Sequence, residues 1–341
     1  MVFNRHYLHY IACQQRGRRA PQRTDHEVAG EQFMEESVAS VTAMSTARMR
    51  AIHTQRDPQP VLEDPWGDLL VPASLFVVAV AQRSSMSVQD SGEAQSEELA
   101  RIADDFLHAN PAFTNVVLRA RYAEDALRAA IAGGVRQYVL LGAGFDSYAL
   151  RMPPEASDVT IIEIDHPATQ AFKRERIAAC GLAPPGNLQF VAADLAREGL
   201  DEVLARSAFR RDERAFFAWL GVTMYLTREA NMETLRAIAR CSRAGSELVF
   251  SYIDQKVFDA RNTPAAFDEL EKAVQSFGEP FICGFNPATL ATQLQEVGLD
   301  LVEDLNEFQM AERFDPQGVN GLQPLDRSHV ALARVRAGSL A

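Results

Sequence analysis

The chain has 341 residues, 47% of them apolar, enough for one large core with or without a cap. Lys and Arg number 34 against 46 Asp and Glu, a net charge of −12, so no general positive field is available to hold a nucleic-acid backbone. No apolar run reaches the roughly 18 residues of a membrane span, and Cys13, Cys180, Cys241 and Cys283 show no CxxC spacing; no membrane or nucleic-acid partner, and a reducing cytoplasm, are expected.

Residues 1–33 hold five arginines before the first acid, Asp25, and no signal-type apolar run. They are expected to form a poorly ordered extension. Met34–Arg56 reads as a helix, with Val38, Val41, Met44 and Met49 near one face. Asp64–Pro72 reads as a turn and a short apolar segment, and 84–97 as a polar, mobile loop. Helices follow at about Leu99–Leu107 and Val116–Ala132, the second stopped by Gly133-Gly134. The rhythm then changes. Strands are predicted at Tyr138–Leu141, Val159–Ile164, Leu188–Val191, Ala215–Leu220 and Ser246–Ile253, with helices at Pro167–Cys180, Leu200–Arg206 and Arg228–Arg243 between them. These strands are too apolar for a wet face, so they belong in a parallel sheet covered on both sides. A helix at Pro287–Val297 leads to Leu299–Leu305 and His329–Val335, expected to pair antiparallel at the sheet edge.

Open parallel sheets bind ligands beyond the carboxyl ends of their strands. Gly142-Ala143-Gly144 follows the first strand, where glycines permit a tight turn and close ligand approach. A dinucleotide fingerprint needs a third glycine where this chain has Ser147, which favours a ligand without phosphates. Asp165 ends the second strand, spaced to accept both hydroxyls of a ribose or to cap the next helix; Glu163 is the competing acid. Asp194 with Leu195 suits an adenine, the acid accepting the exocyclic amine and the leucine covering the ring; a helix cap is the alternative. After the fourth strand, Gly221–Leu226 would floor the pocket, with Thr227 as an N-cap and Tyr225 as floor or core. In this order the four ends describe a nucleoside site, and they favour S-adenosylmethionine over NAD.

The segments SVTAMSTARMRA (40–51), EDPWGDLLV (63–71), VVLRARYAEDAL (116–127), LLGAGFDSYALRM (140–152), EIDHPATQAFKRERI (163–177), AADL (192–195) and WLGVTMYLT (219–227) stand in this order and spacing. On them the sequence resembles the S-adenosylmethionine-dependent methyltransferases grouped with leucine carboxyl methyltransferase, including enzymes similar to the polyketide O-methyltransferase of tetracenomycin biosynthesis. The resemblance implies an α/β fold: a Rossmann-like, seven-stranded, mostly parallel sheet with an antiparallel edge strand. It also implies a helical N-terminal cap, residues 34–115, over a cofactor-binding domain, residues 116–341. Gly142 and Gly144 would face the methionine part of the cofactor, Asp165 the ribose, and Asp194 and Leu195 the adenine end. Arg119, with Arg121 as its near neighbour in sequence, would pair with the cofactor carboxylate; Arg50 matches another family arginine near the pocket. Two positions depart from the pattern: Tyr148 stands where many members have arginine, and Leu220 where many have glutamate.

The expected activity is S-adenosylmethionine-dependent O-methylation of a small molecule, at a carboxylate or a phenol. The alternatives are an NAD(P)-dependent oxidoreductase and a non-catalytic nucleoside-binding protein. A carboxylate is already ionised at neutral pH and needs no base; a phenol would draw on His53, His108 or Tyr225. No catalytic residue and no metal is assigned. The cap and the 256–285 insertion are expected to set the acceptor.

Overall fold

Seven strands form one twisted sheet in the order β3-β2-β1-β4-β5-β7-β6. The computed structural model describes residues 39–83, 93–258 and 279–337, all within the compact unit Met34–Ala341. In chain order the helices and strands are α1 (Val41–Arg56), α2 (Trp66–Leu70), α3 (Ala73–Arg83), α4 (Glu93–His108), α5 (Phe113–Ala132), β1 (Gln137–Leu141), β2 (Thr160–Asp165), α6 (Pro167–Ala179), β3 (Leu188–Ala192), α7 (Leu200–Ala205), β4 (Ala215–Trp219), α8 (Arg228–Cys241), β5 (Glu247–Ile253), α9 (Pro287–Glu296), β6 (Leu299–Asn306), α10 (Glu307–Phe314) and β7 (Ser328–Val335).

β1 to β5 pair in parallel, and β7 pairs antiparallel with both β5 and β6. The strand order reverses between β1 and β4, which opens a crevice beyond their carboxyl ends. Side chains alternate between two buried layers, as the period of two requires. Tyr138, Leu140, Ile161, Phe216 and Val249 face α1, α5 and α6, whereas Val139, Leu141, Ile162, Phe217 and Leu248 face α7, α8 and α9. Both faces are therefore dry, which explains why the strands read as continuous apolar runs.

The predicted strands are all present, with ends shifted by a residue or two. The expected Gly133 stop and Thr227 cap are observed, the Thr227 hydroxyl accepting from the Ala230 N–H. The first 33 residues and 84–92 lie outside the described residues; of the loop expected at 84–97, residues 93–97 begin α4 instead. Three helices were not foreseen. α2 and α3 are built from the apolar stretch 66–83, too apolar all round for a one-face signature. α10 opens on a capping box between Asn306 and Gln309.

Candidate functional site

The carboxyl end of β1 turns through Gly142 and Gly144, at φ +67° and +50°, where other residues are strained. A Cβ on Gly142 would overlap the Val222 side chain, and one on Gly144 would sit 3.1 Å from Ala43 Cβ. The glycines are thus required by close packing of the 221–226 link and of α1 on this turn. The turn is no phosphate cradle. The Gly142 and Ala143 N–H groups both donate to the Ile164 carbonyl, at 2.9 and 3.1 Å, and the Gly144 N–H donates to the Asp165 carboxylate. Its amides are spent inside the fold, which removes the anion-binding nest that a pyrophosphate needs.

Asp165 ends β2, its side chain on the same face as Glu163. One carboxylate oxygen accepts from Gly144 and the other from the His166 N–H at 2.6 Å. Burial lifts its pKa above the ordinary carboxylate value, with these two N–H groups opposing. Each oxygen keeps a second lone pair. Asp165 is not the helix cap: the imidazole of His166 caps α6, accepting from the Ala168 N–H at 3.3 Å. Glu163, the competing acid, is buried and bonded to Lys173 Nζ at 2.6 Å, so its carboxylate is committed to α6.

The Ala193 N–H donates to the Asp165 carbonyl at 2.8 Å, which sets Asp194 and Leu195 beside the end of β2. Asp194 caps no α-helix; it closes a turn by accepting from the Ala196 N–H at 3.0 Å. Asp194 and Leu195 are half-buried, and Leu195 packs against the layer facing α7 and α8.

Arg119 lies on α5 beneath the link after β4. Its guanidinium occupies the space that a Cβ on Gly221 would need, and it donates to Asn115 Oδ1 at 3.0 Å. Among the described residues no carboxylate lies within ion-pair distance of it. Burial pulls its pKa down to about 10; Tyr225 opposes this, Arg50 and Arg327 add to the drop, and Glu307 opposes more weakly. Arg121 points elsewhere, pairing with Asp125 at 2.9 Å. Arg50 is also committed, to Asp64 at 2.8 Å and to the Phe145 carbonyl at 2.9 Å. Asp64 accepts in turn from Ser147 at 2.6 Å, Ser147 from Arg151 at 2.9 Å, and Arg151 pairs with Glu124. This network ties α1 and α5 to the turn. Ser147, which breaks the dinucleotide fingerprint, is one of its links.

The two departures now have surroundings. Tyr148 is buried edge-on against Tyr138, with centroids 5.5 Å apart, and lies under the Arg151 guanidinium; it is a core residue, its hydroxyl pushed up to about 12 chiefly by burial. Leu220 packs partly buried against the layer that contains α1 and α5. Neither histidine named as a base is available. His53 Nδ1 faces Asp57 and its Nε2 accepts from the Val61 N–H at 2.8 Å; His108 Nε2 is 2.8 Å from the same Asp57. Both brace the cap helices. Tyr225 stays beside the site, its buried hydroxyl within the electrostatic reach of Arg119 and of a carboxylate that the sequence did not single out, Glu279. Glu279 is buried and accepts from Ser40 and Thr42 at the start of α1. A contact across more than 230 residues leaves no local pattern to read.

A glycine turn without free amides, an acid at the next strand end and an arginine with no carboxylate within ion-pair distance among the described residues stand together at the switch point of a Rossmann-like sheet. The model of the leucine carboxyl methyltransferase family matches residues 43–239, and the chain belongs to that family. YktD of Bacillus subtilis (strain 168), whose name places it among the S-adenosyl-L-methionine-dependent methyltransferases, is 27% identical over 87% of this chain and 98% of its own. A relative named in the same way from Mycobacterium sp. (strain JLS) is 32% identical over 69% of this chain and 74% of its own. A crystal structure from Thermobifida fusca YX, described as that of a methyltransferase, superposes with a TM-score of 0.50 at 16% identity over 70% of this chain and 89% of that one, a likeness of fold alone. The protein is a methyltransferase, and its cofactor is S-adenosylmethionine. No helix among the described residues is long and apolar enough to cross a membrane.

Proposed function

We propose that the chain methylates an oxygen atom of a small molecule, with Arg119, Gly142, Gly144, Asp165, Asp194 and Leu195 on the cofactor side. The observation that carries the assignment is Arg119. A guanidinium withdrawn from water without a counterion is costly, and the carboxylate of a methionine group would supply the bidentate partner that no described residue provides. Asp165 would accept two ribose hydroxyls with its remaining lone pairs. Asp194 would accept from an exocyclic amine while Leu195 covers the ring. The spent amides of the glycine turn count against a pyrophosphate, and so against the oxidoreductase alternative.

When bound, the cofactor supplies a methyl group on a cationic sulfur that departs as a neutral thioether. The residues therefore need not stabilise a leaving anion. Their work is to orient the two reactants and exclude water, which the seating of α1 on the glycine turn favours. The test is incubation with isotopically methyl-labelled S-adenosylmethionine and a panel of small phenols, carboxylic acids, amines and thiols, with the methyl position located by NMR. Label on oxygen is expected. Label on nitrogen or sulfur would contradict the reading.

A further inference from the structure

We infer that Asn115 is a positioning residue for the cofactor carboxylate: it orients the Arg119 guanidinium through a neutral acceptor and leaves its charge for the ligand. The inference rests on the reading of Arg119 above and deepens it. Asn115 and Arg119 stand one turn apart on one side of α5. Asn115 is buried, 5% exposed. Arg119, though enclosed, keeps part of its surface, as do Gly221 and Tyr225 of the link after β4. The guanidinium therefore stands on the open side of the pair, with the amide behind it.

The bond between them runs from Arg119 Nη1 to Asn115 Oδ1 at 3.0 Å. A guanidinium carries donors alone, so this contact fixes which end of the amide faces it. Among the described residues it is the one hydrogen bond of Arg119, out of five N–H groups. Asn115 Nδ2 finds no acceptor among those residues, so the amide is committed to the guanidinium and to nothing else. The polar groups nearby turn elsewhere. Thr114 Oγ1 accepts from the Gln323 N–H at 2.8 Å. Glu307 Oε2 accepts from the Leu325 N–H at 2.9 Å, and its Oε1 lies 3.5 Å from Arg327 Nε. Arg327 Nη2 donates to the Pro111 carbonyl at 2.7 Å.

An amide and an acid at position 115 would act differently on Arg119. Either accepts from Nη1. The amide has no net charge, so the guanidinium stays unneutralised where a carboxylate is to bind. An aspartate would pair with Arg119 inside the protein and repel a second carboxylate. The other arginines around this cap do have acids: Arg48 has Asp104, Arg50 has Asp64, and Arg151 has Glu124 of α5 itself. Position 115 departs from that pattern at the arginine beneath the crevice.

The test is equilibrium dialysis of S-adenosylhomocysteine, and of its decarboxylated analogue, against the full chain and its variants, each checked for an unchanged circular dichroism spectrum. Asn115→Asp should weaken S-adenosylhomocysteine by roughly 100-fold, because the charge-assisted pair is lost to an internal partner. Asn115→Ala should weaken it by about 5–10-fold, because the guanidinium keeps its charge and loses its orientation. The decarboxylated analogue should bind both variants within about two-fold of wild type. On an Arg119→Met background, Asn115→Ala should cost less than about two-fold more, since it acts through the guanidinium. Three results overturn the inference: Asn115→Asp binding S-adenosylhomocysteine as tightly as wild type, equal losses for both ligands, as a merely structural residue gives, or the full further loss on the Arg119→Met background. Unchanged binding in Arg119→Met alone overturns the reading of Arg119 on which the inference rests.

Discussion

Arg119 and Gly142 show how single residues carry this account. Arg119→Met removes a buried charge that has no carboxylate within ion-pair distance among the described residues. Affinity for S-adenosylhomocysteine is expected to fall by roughly 100-fold, the worth of a charge-assisted pair. The urea midpoint of the ligand-free protein should hold or rise, because a buried unpaired cation has gone. A large loss of ligand-free stability would mean that the guanidinium is structural. Gly142→Ala meets two separate penalties. A left-handed backbone costs an alanine about 1–2 kcal/mol, and overlap with Val222 adds about 1–3 kcal/mol. Adding Val222→Ala to that variant should return the second penalty and not the first, as read from urea midpoints. The same scale shows where sequence reasoning ran out. Gly142, Gly144 and Asp165 were legible because strand ends announce themselves by composition. The partners of Tyr148, Arg50 and Glu279 lie far away in sequence, and no spacing encodes them.

Between elements, β2 and α6 are joined by a buried acid and base, Glu163 and Lys173. Burial, only partly offset by the Lys173 ammonium, holds the Glu163 carboxyl up at about 7. Glu307 at the start of α10, against Arg327, is held up at about 7 in the same way. Each binds its proton more tightly folded than unfolded. Their contribution to stability is thus fully present below the unfolded value near 4.5 and is lost as pH rises through about 7. Glu163→Gln should flatten the decline in urea midpoint over that window, leaving the share due to Glu307; an unchanged profile would contradict it. Element order was the most readable level of the fold. Apolar runs ending in Gly or Asp marked the parallel strands, since both faces of that sheet are dry. α2 and α3 were missed because their apolar residues fall on exposed as well as buried sides, Leu69 and Val78 beside Leu70 and Phe76, and so mark no single face, and α10 because eight residues give too short a period to stand out.

At the scale of the molecule, the cap and the sheet share one layer of core: Val41, Met44 and Ile52 of α1 cluster with Tyr138 of β1 and Phe216 of β4. The proposed cofactor site lies where they meet, so a ligand bound there would steady both. At 100 times its dissociation constant a ligand adds about 2.7 kcal/mol, and S-adenosylhomocysteine should raise the unfolding midpoint of the whole unit as a single transition. Two transitions, only one of them shifted, would separate cap from sheet. The carboxyl end of β2 is proposed to hold the cofactor, and calorimetric titration of S-adenosylhomocysteine into Asp165→Ala beside wild type tests this most directly. Loss of two hydroxyl contacts to a charged acceptor predicts at least roughly 100-fold weaker binding, with an unchanged circular dichroism spectrum. Binding as tight as wild type in a folded Asp165→Ala protein would contradict the site.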